Sequence, residues 1–136
     1  MSLVEKDWYM RQLRICIDMA ASLVLGKDFS PYEPQDADHP TTADELHQQL
    51  MELLDEGNAN DAEELLFEAA DPEDMDIYEV GLDFYYHLNE MDEPELTRQD
   101  FSREEIREGL TDFSEEYGCE GLFDQLQLSW SEEDEE

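Results

Sequence analysis

Three histidines, two cysteines and forty carboxylates are the side chains of this 136-residue sequence with most scope for chemistry. Asp44 precedes His47 by three positions and Asp83 precedes His87 by four, so on helices each pair shares a face and offers two metal ligands. A di-iron bundle asks for Glu-x-x-His twice and two further glutamates, and no such set is present, so the pairs read as contacts on helix surfaces. His39 stands in a third segment. Asp71, Asp74, Asp76 and Glu79 have a calcium-like look, but the sharp-turn glycine of an EF-hand loop is missing. Pro72 instead marks a helix start there, where acids complement the helix dipole. Cys16 and Cys119 form no CxxC pair, and an apolar helix around Cys16 would leave its thiol inert. Neither GxGxxG nor GxxxxGK[ST] occurs, so no phosphate cradle is indicated. Phe84-Tyr85-Tyr86 lies among acids rather than Lys or Arg, which argues against stacking on nucleic acid. The expectation is a protein without a cofactor, a metal-ligand set or a catalytic residue.

The charge balance sharpens that reading. Seven Lys and Arg face forty Asp and Glu, a net charge of −33, yet the first thirty residues sum to zero. All the excess therefore lies after Ser30. Such a body repels nucleic-acid phosphates and anionic membranes and attracts basic proteins, although acidity also serves plain solubility. Two distant cysteines make no disulfide framework, which points to a reducing cytoplasm. The apolar run from Ile15 to Leu25 contains Asp18, and acids replace the basic start of a signal peptide. It is also short of the roughly 20 apolar residues that span a bilayer.

The elements that must position these residues are all helical in pattern. A first helix is expected over about 4–25, with Trp8, Gln12, Ile15, Met19 and Ser22 on one stripe and Leu13, Ile17, Ala20 and Val24 on the next. Gly26 supplies its stop, and three prolines make residues 28–40 an extended connector. The second helix opens at Thr42-x-x-Glu45, read as a capping box, carries Leu46, Leu50, Leu53 and Leu54, and ends at Gly57. The third takes Asn60 as its cap and ends before Asp71-Pro72. The short turn makes the two an antiparallel hairpin. The fourth covers about 73–90, with Gly81 marking a close helix contact. A polar loop holding Pro94 leads to a second capping box, Ser102-x-x-Glu105, and a fifth helix through Ile106, Leu110, Phe113 and Tyr117 to Gly118. Leu122, Phe123 and Leu126 suggest one more short helix. The expected fold is all-α: five to six helices in one domain over 1–130, the N-terminal helix packed on two antiparallel hairpins, and an acidic disordered tail at 131–136.

Leu46, Leu50 and Leu54 recur 34 residues later as Val80, Phe84 and Leu88, so residues 43–117 resemble tetratricopeptide-type hairpins. A longer set of strings carries a second resemblance. It runs through Asp7-Trp8, Gly26-Lys27-Asp28, Leu53-Leu54-Asp55-Glu56-Gly57, Ala62 to Glu68, Gly81-Leu82-Asp83-Phe84-Tyr85, Phe101 to Ile106 and Tyr117-Gly118. In order and spacing they resemble the bacterial family catalogued as domain of unknown function 6483. That resemblance implies a short helical cytoplasmic protein and no activity.

The function expected from these features is a non-enzymatic protein–protein interaction module. Stacked hairpins would place His47, Met51, Tyr78, Tyr85 and Asn89 on a concave partner-binding face, where Tyr and Met are good anchors. The expected partner is a protein, with a basic one matching the charge, no direct nucleic-acid or membrane binding is expected, and a homodimer would form through the N-terminal helix. Two alternatives stand beside it: an acidic nucleic-acid mimic that occupies a basic DNA- or RNA-binding protein, and an enzyme with a dispersed site. Crowding thirty-six carboxylates onto one body makes them repel, and salt screens that repulsion. Raising monovalent salt should therefore raise the melting temperature by several degrees, read by circular dichroism at 222 nm. A fall with salt would show that attractive ion pairs outweigh the repulsion.

Overall fold

Residues 75–90 combine Ile, Val, Leu, Phe and Tyr with a single glycine, and the helix they form is apolar on almost every side. Ten of its residues are buried, which only a central position allows. The computed structural model describes residues 3–119, with side chains from Trp8 onward. In chain order the helices are α1 (Leu3–Ala20, continued by a π-helical turn, Ala21–Leu25), α2 (Thr42–Asp55), α3 (Ala59–Ala69), α4 (Met75–Glu90), α5 (Glu93–Arg98) and α6 (Arg103–Glu116). No strand occurs among the described residues, and the fold is all-α. The short helix suggested around Leu122–Leu126 and the tail at 131–136 lie outside the described residues.

α4 is the hub. It packs against α2, α1, the π-helical turn and α6, while α3 packs mainly on α2. Arg14 pairs with Glu90 at 2.5 Å and Lys27 with Glu79 at 2.8 Å, so α1 runs antiparallel to α4. Leu13, Cys16, Ile17, Ala20 and Ala21 form its buried side. The expectation that the first helix lies on both hairpins is corrected here. Its substantial contacts are with α4 and α6, because α4 occupies the middle. The other stripe is only partly covered: Trp8, Gln12 and Met19 are half-buried, Ser22 is exposed, and Ile15 is 43% exposed.

The helix ends follow local chemistry. Gly26, Gly57 and Gly118 take positive φ as left-handed stops, where a side chain would be strained. The first capping box is one residue earlier than expected: Thr41 caps α2, accepting from Asp44 N, while the Asp44 carboxylate accepts from Thr41 N. Aspartate replaces the usual glutamate because its shorter arm still reaches back across the turn. Asn60 does not cap α3. Asn58 holds that position without a side-chain capping bond, and the Ala59 amide donates to Gln99 Oε1 at 3.0 Å. Gln99 Nε2 donates in turn to Leu54 O at 2.7 Å, so one buried amide satisfies the end of α2 and the start of α3. The polar loop expected around Pro94 is a helix, α5. Asp92 caps it and Pro94 sits in its first turn, where a missing N–H costs nothing.

Two glycines set the spacing of α4 and α6. A Cβ at Gly81 would stand 2.2 Å from Phe113 Cε2, and one at Gly109 would stand 2.0 Å from Glu63 Oε2. The close contact expected at Gly81 is thus present. Gly81→Ala should destabilise the protein by about 1–3 kcal/mol through overpacking, although alanine favours the helix by about 1 kcal/mol. In urea unfolding, the double variant with Phe113→Ala should lose less than the two single losses combined. Strict additivity would show that Phe113 is not the obstacle.

Candidate functional site

Three of the positions that could do chemistry, His47, Asp83 and His87, come together where α2 meets α4. Asp83 lies in the middle of this buried helix and is itself fully buried, so its carboxylate needs partners in every direction. His47, from α2, places Nε2 2.8 Å from Asp83 Oδ2. His87, one turn further along α4, places Nε2 3.3 Å from the same oxygen. The backbone N–H of Tyr32, from the connector before α2, donates to Asp83 Oδ1 at 3.0 Å. Sequence reading left the histidines in separate segments and put Asp83 and His87 on a helix surface. The structure keeps the histidines in separate segments but brings two of them to one carboxylate, and it buries Asp83. α2 and α4 pack together, which brings residues 36 apart in sequence within a hydrogen bond.

The connector is part of this site rather than a loose link. Tyr32 packs its ring on the His47 imidazole at 4.9 Å, and its hydroxyl bonds to Asp44 in the capping box of α2. Phe29 packs on Tyr86 at 5.1 Å, and Tyr86 meets His87 edge-on at 5.6 Å. Both imidazoles therefore have an aromatic wall that limits their rotation. The side chain of His47 is 17% exposed and that of His87 42%, so solvent reaches the pair from one side while Asp83 closes the other.

The electrostatics follow from the geometry. Burial acts to raise the Asp83 pKa, but hydrogen bonds from His47, His87 and the Tyr32 amide outweigh it and hold it at about 2. Its bond to Asp83 raises the pKa of His87, against a smaller opposing effect of burial. Tyr32 is shifted upward, first by burial and then by donating to Asp44, so its hydroxyl stays protonated. His39 is not part of this group. It pairs with Asp36 at 3.0 Å on the rim of an open cleft of about 360 Å³. Glu33, Asp36, Asp44, Asp76 and Glu79 line that cleft, and Tyr32 is its border with the histidine site.

The partner face expected from the hairpin reading is corrected as well. Tyr78, Tyr85 and Asn89 are fully buried. Tyr78 Oη bonds to Ser114 Oγ at 2.7 Å, Tyr85 Oη donates to Glu63 at 2.6 Å, and Asn89 Nδ2 donates to Met10 O at 3.0 Å. α1 and α6 cover the face of α4 that an open pair of hairpins would expose. Of the five residues, His47 and Met51 on α2 remain half-buried. Cys16 is buried, and desolvation lifts its thiol to about 12, so no thiolate is available there at neutral pH.

A family model described as Family of unknown function (DUF6483) matches residues 3–118. No curated protein and no solved structure matches the chain.

The two shifts set opposite pH limbs. Asp83, lowered below its usual 3.8, contributes stability that is present above that value and lost as pH falls toward about 2. His87, raised above 6.5, contributes stability that is present below that value and lost as pH rises through its folded pKa. Urea unfolding of the wild type should show both declines. His87→Gln should remove the decline above neutral pH and keep the acid limb. An unchanged upper limb in that variant would dissociate His87 from Asp83.

Proposed function

We propose that the protein, which belongs to the family of unknown function matched over residues 3–118, is a non-enzymatic protein–protein interaction module that uses α1. One observation carries this reading. Ile15 and Leu23 are 43% and 64% exposed on the outer side of α1 and its π-helical turn. Around them lie the half-buried Met19 and the exposed Arg11 and Ser22. This apolar strip belongs to the charge-neutral first thirty residues, and the rest of the chain carries the whole −33. A partner suited to both features is an amphipathic helix with an apolar stripe and a basic rim. The stripe covers Ile15 and Leu23, and the rim meets the acids of the body. Long-range attraction then speeds encounter, and apolar burial at the strip supplies the lasting contact.

No helix among the described residues is long and apolar enough to cross a membrane. Both cysteines are free thiols, which supports a reducing cytoplasm as the compartment of the proposed module.

A synthetic basic amphipathic helix tests the reading by titration calorimetry. It should bind the protein, and an acidic peptide with the same apolar stripe should not. Replacing Ile15 and Leu23 together by Ser should weaken binding at least tenfold while leaving the melting temperature within about 2 °C, because both side chains face outward. If the Ser variant binds as tightly as the wild type and high salt abolishes both interactions, charge alone is responsible. That result would overturn the strip and support the acidic mimic instead.

A further inference from the structure

We propose that His47, Asp83 and His87 form a binding site for one divalent transition-metal ion of the zinc, cobalt or nickel class. The donor set is the Nε2 atoms of both imidazoles and one oxygen of the Asp83 carboxylate. All three ligand atoms lie within 4.8 Å of one another. Two ligands held about 2.0–2.1 Å from a tetrahedral zinc ion lie about 3.4 Å apart. Asp83 Oδ2 stands 2.8 Å from His47 Nε2 and 3.3 Å from His87 Nε2, so both carboxylate–imidazole spacings lie within about 0.6 Å of that value.

Further features of the site suit it to an ion. Both imidazoles bring Nε2 to the same carboxylate oxygen, so release of their Nε2 protons on metal binding would leave three donor atoms around one point. The other carboxylate oxygen is held by the Tyr32 N–H, an outer hydrogen bond of the kind that fixes a ligating carboxylate. The Tyr32 and Tyr86 rings restrict the two imidazoles, so little ordering remains to be done on binding. Asp83 and His87 share a face of α4 at i and i+4, a spacing that zinc proteins use for paired ligands on one helix. Nitrogen donors select such an ion over magnesium or calcium, which prefer all-oxygen shells. The carboxylates of the neighbouring cleft raise the local cation concentration without supplying the specificity. A bound ion would clamp α2 to α4 and keep a solvent-facing position beside His87. This site is independent of the α1 strip and stands or falls separately from it.

Cobalt(II) serves as the probe, titrated into chelator-treated full-length protein in excess magnesium, which saturates the surface carboxylates. The expected result is one equivalent bound, with visible ligand-field absorption stronger than that of the aqueous ion, and displacement by zinc. Zinc should also raise the melting temperature by several degrees. His47→Gln and His87→Gln should each weaken cobalt binding at least tenfold and lose the absorption band. His39→Gln should leave both unchanged. A wild-type spectrum identical to that of aqueous cobalt would overturn the site. So would binding that magnesium removes, or binding that folded double His47→Gln/His87→Gln protein retains. Those measurements on wild-type protein decide the matter even where a variant fails to fold.

Discussion

A charged carboxylate in the middle of a buried helix constrains everything around it. Asp83 has no exposure to water, and leaving such a group unpaired would cost several kcal/mol. α4 can occupy the centre only if its neighbours bring donors to that point. α2 does so through His47, α4 itself through His87, and the connector through the Tyr32 amide. These obligations fix the register of α2 on α4 and the path of residues 28–40, which apolar contact alone would leave free to slide.

The same logic runs along the rest of α4. Tyr78, Tyr85 and Asn89 carry polar atoms into the interior and meet Ser114, Glu63 and the Met10 carbonyl. Each bond reaches a different element: α6, α3 and α1. Arg103 ties the end of the helix, donating to the Asn89 and Met91 carbonyls and pairing with Glu93. One helix thus meets α1, α2, α3 and α6 through polar atoms. Glycine makes the closest of these contacts sterically feasible. Gly81 admits the Phe113 ring, and Gly109 admits the Glu63–Tyr85 pair. Burial raises the Glu63 pKa while the Tyr85 hydroxyl opposes that rise, so this pair relies on its hydrogen bond.

Much of the fold was legible because helix ends and apolar faces are local. Gly26, Gly57 and Gly118 stop helices for a backbone reason visible in the residue itself. Leu46, Leu50 and Leu54, and 34 residues later Val80, Phe84 and Leu88, are all buried, so that repeat marks the core positions of two helices that pack together. Local competition caused the small errors. Thr41 and Thr42 both satisfy a capping pattern, and which carboxylate folds back decides between them. Asn58 makes no side-chain cap, and the first amide of α3, Ala59 N–H, is satisfied instead by Gln99, forty residues further on. The candidate site was not legible for the same reason. His47 and Asp83 belong to different helices, and nothing in their spacing says that α2 lies on α4. Asp83 carried one signal that sequence reading passed over: it interrupts the apolar run from Val80 to Tyr86. An acid set in an otherwise buried run needs a partner from elsewhere in the chain. The hairpin analogy misplaced Tyr78, Tyr85 and Asn89 because it supplied no helix to cover α4, whereas α1 and α6 both do.

The uneven charge follows from this architecture. α1 lies along α4, and the basic residues on and just after it meet acids there: Glu90 for Arg14 and Glu79 for Lys27. Four of the seven basic residues fall in the first thirty, where the helix must approach a body that has few cations of its own. A more acidic α1 would meet that body with like charge along its whole length, opposing the burial of Leu13, Ile17 and Ala20. Neutrality in this segment is therefore a condition of docking, whatever else its outer face does. The acids of the body have no comparable constraint, since most point into water and need only keep apart. That freedom lets one of them turn inward at Asp83, where two imidazoles and an amide replace the solvent it gives up.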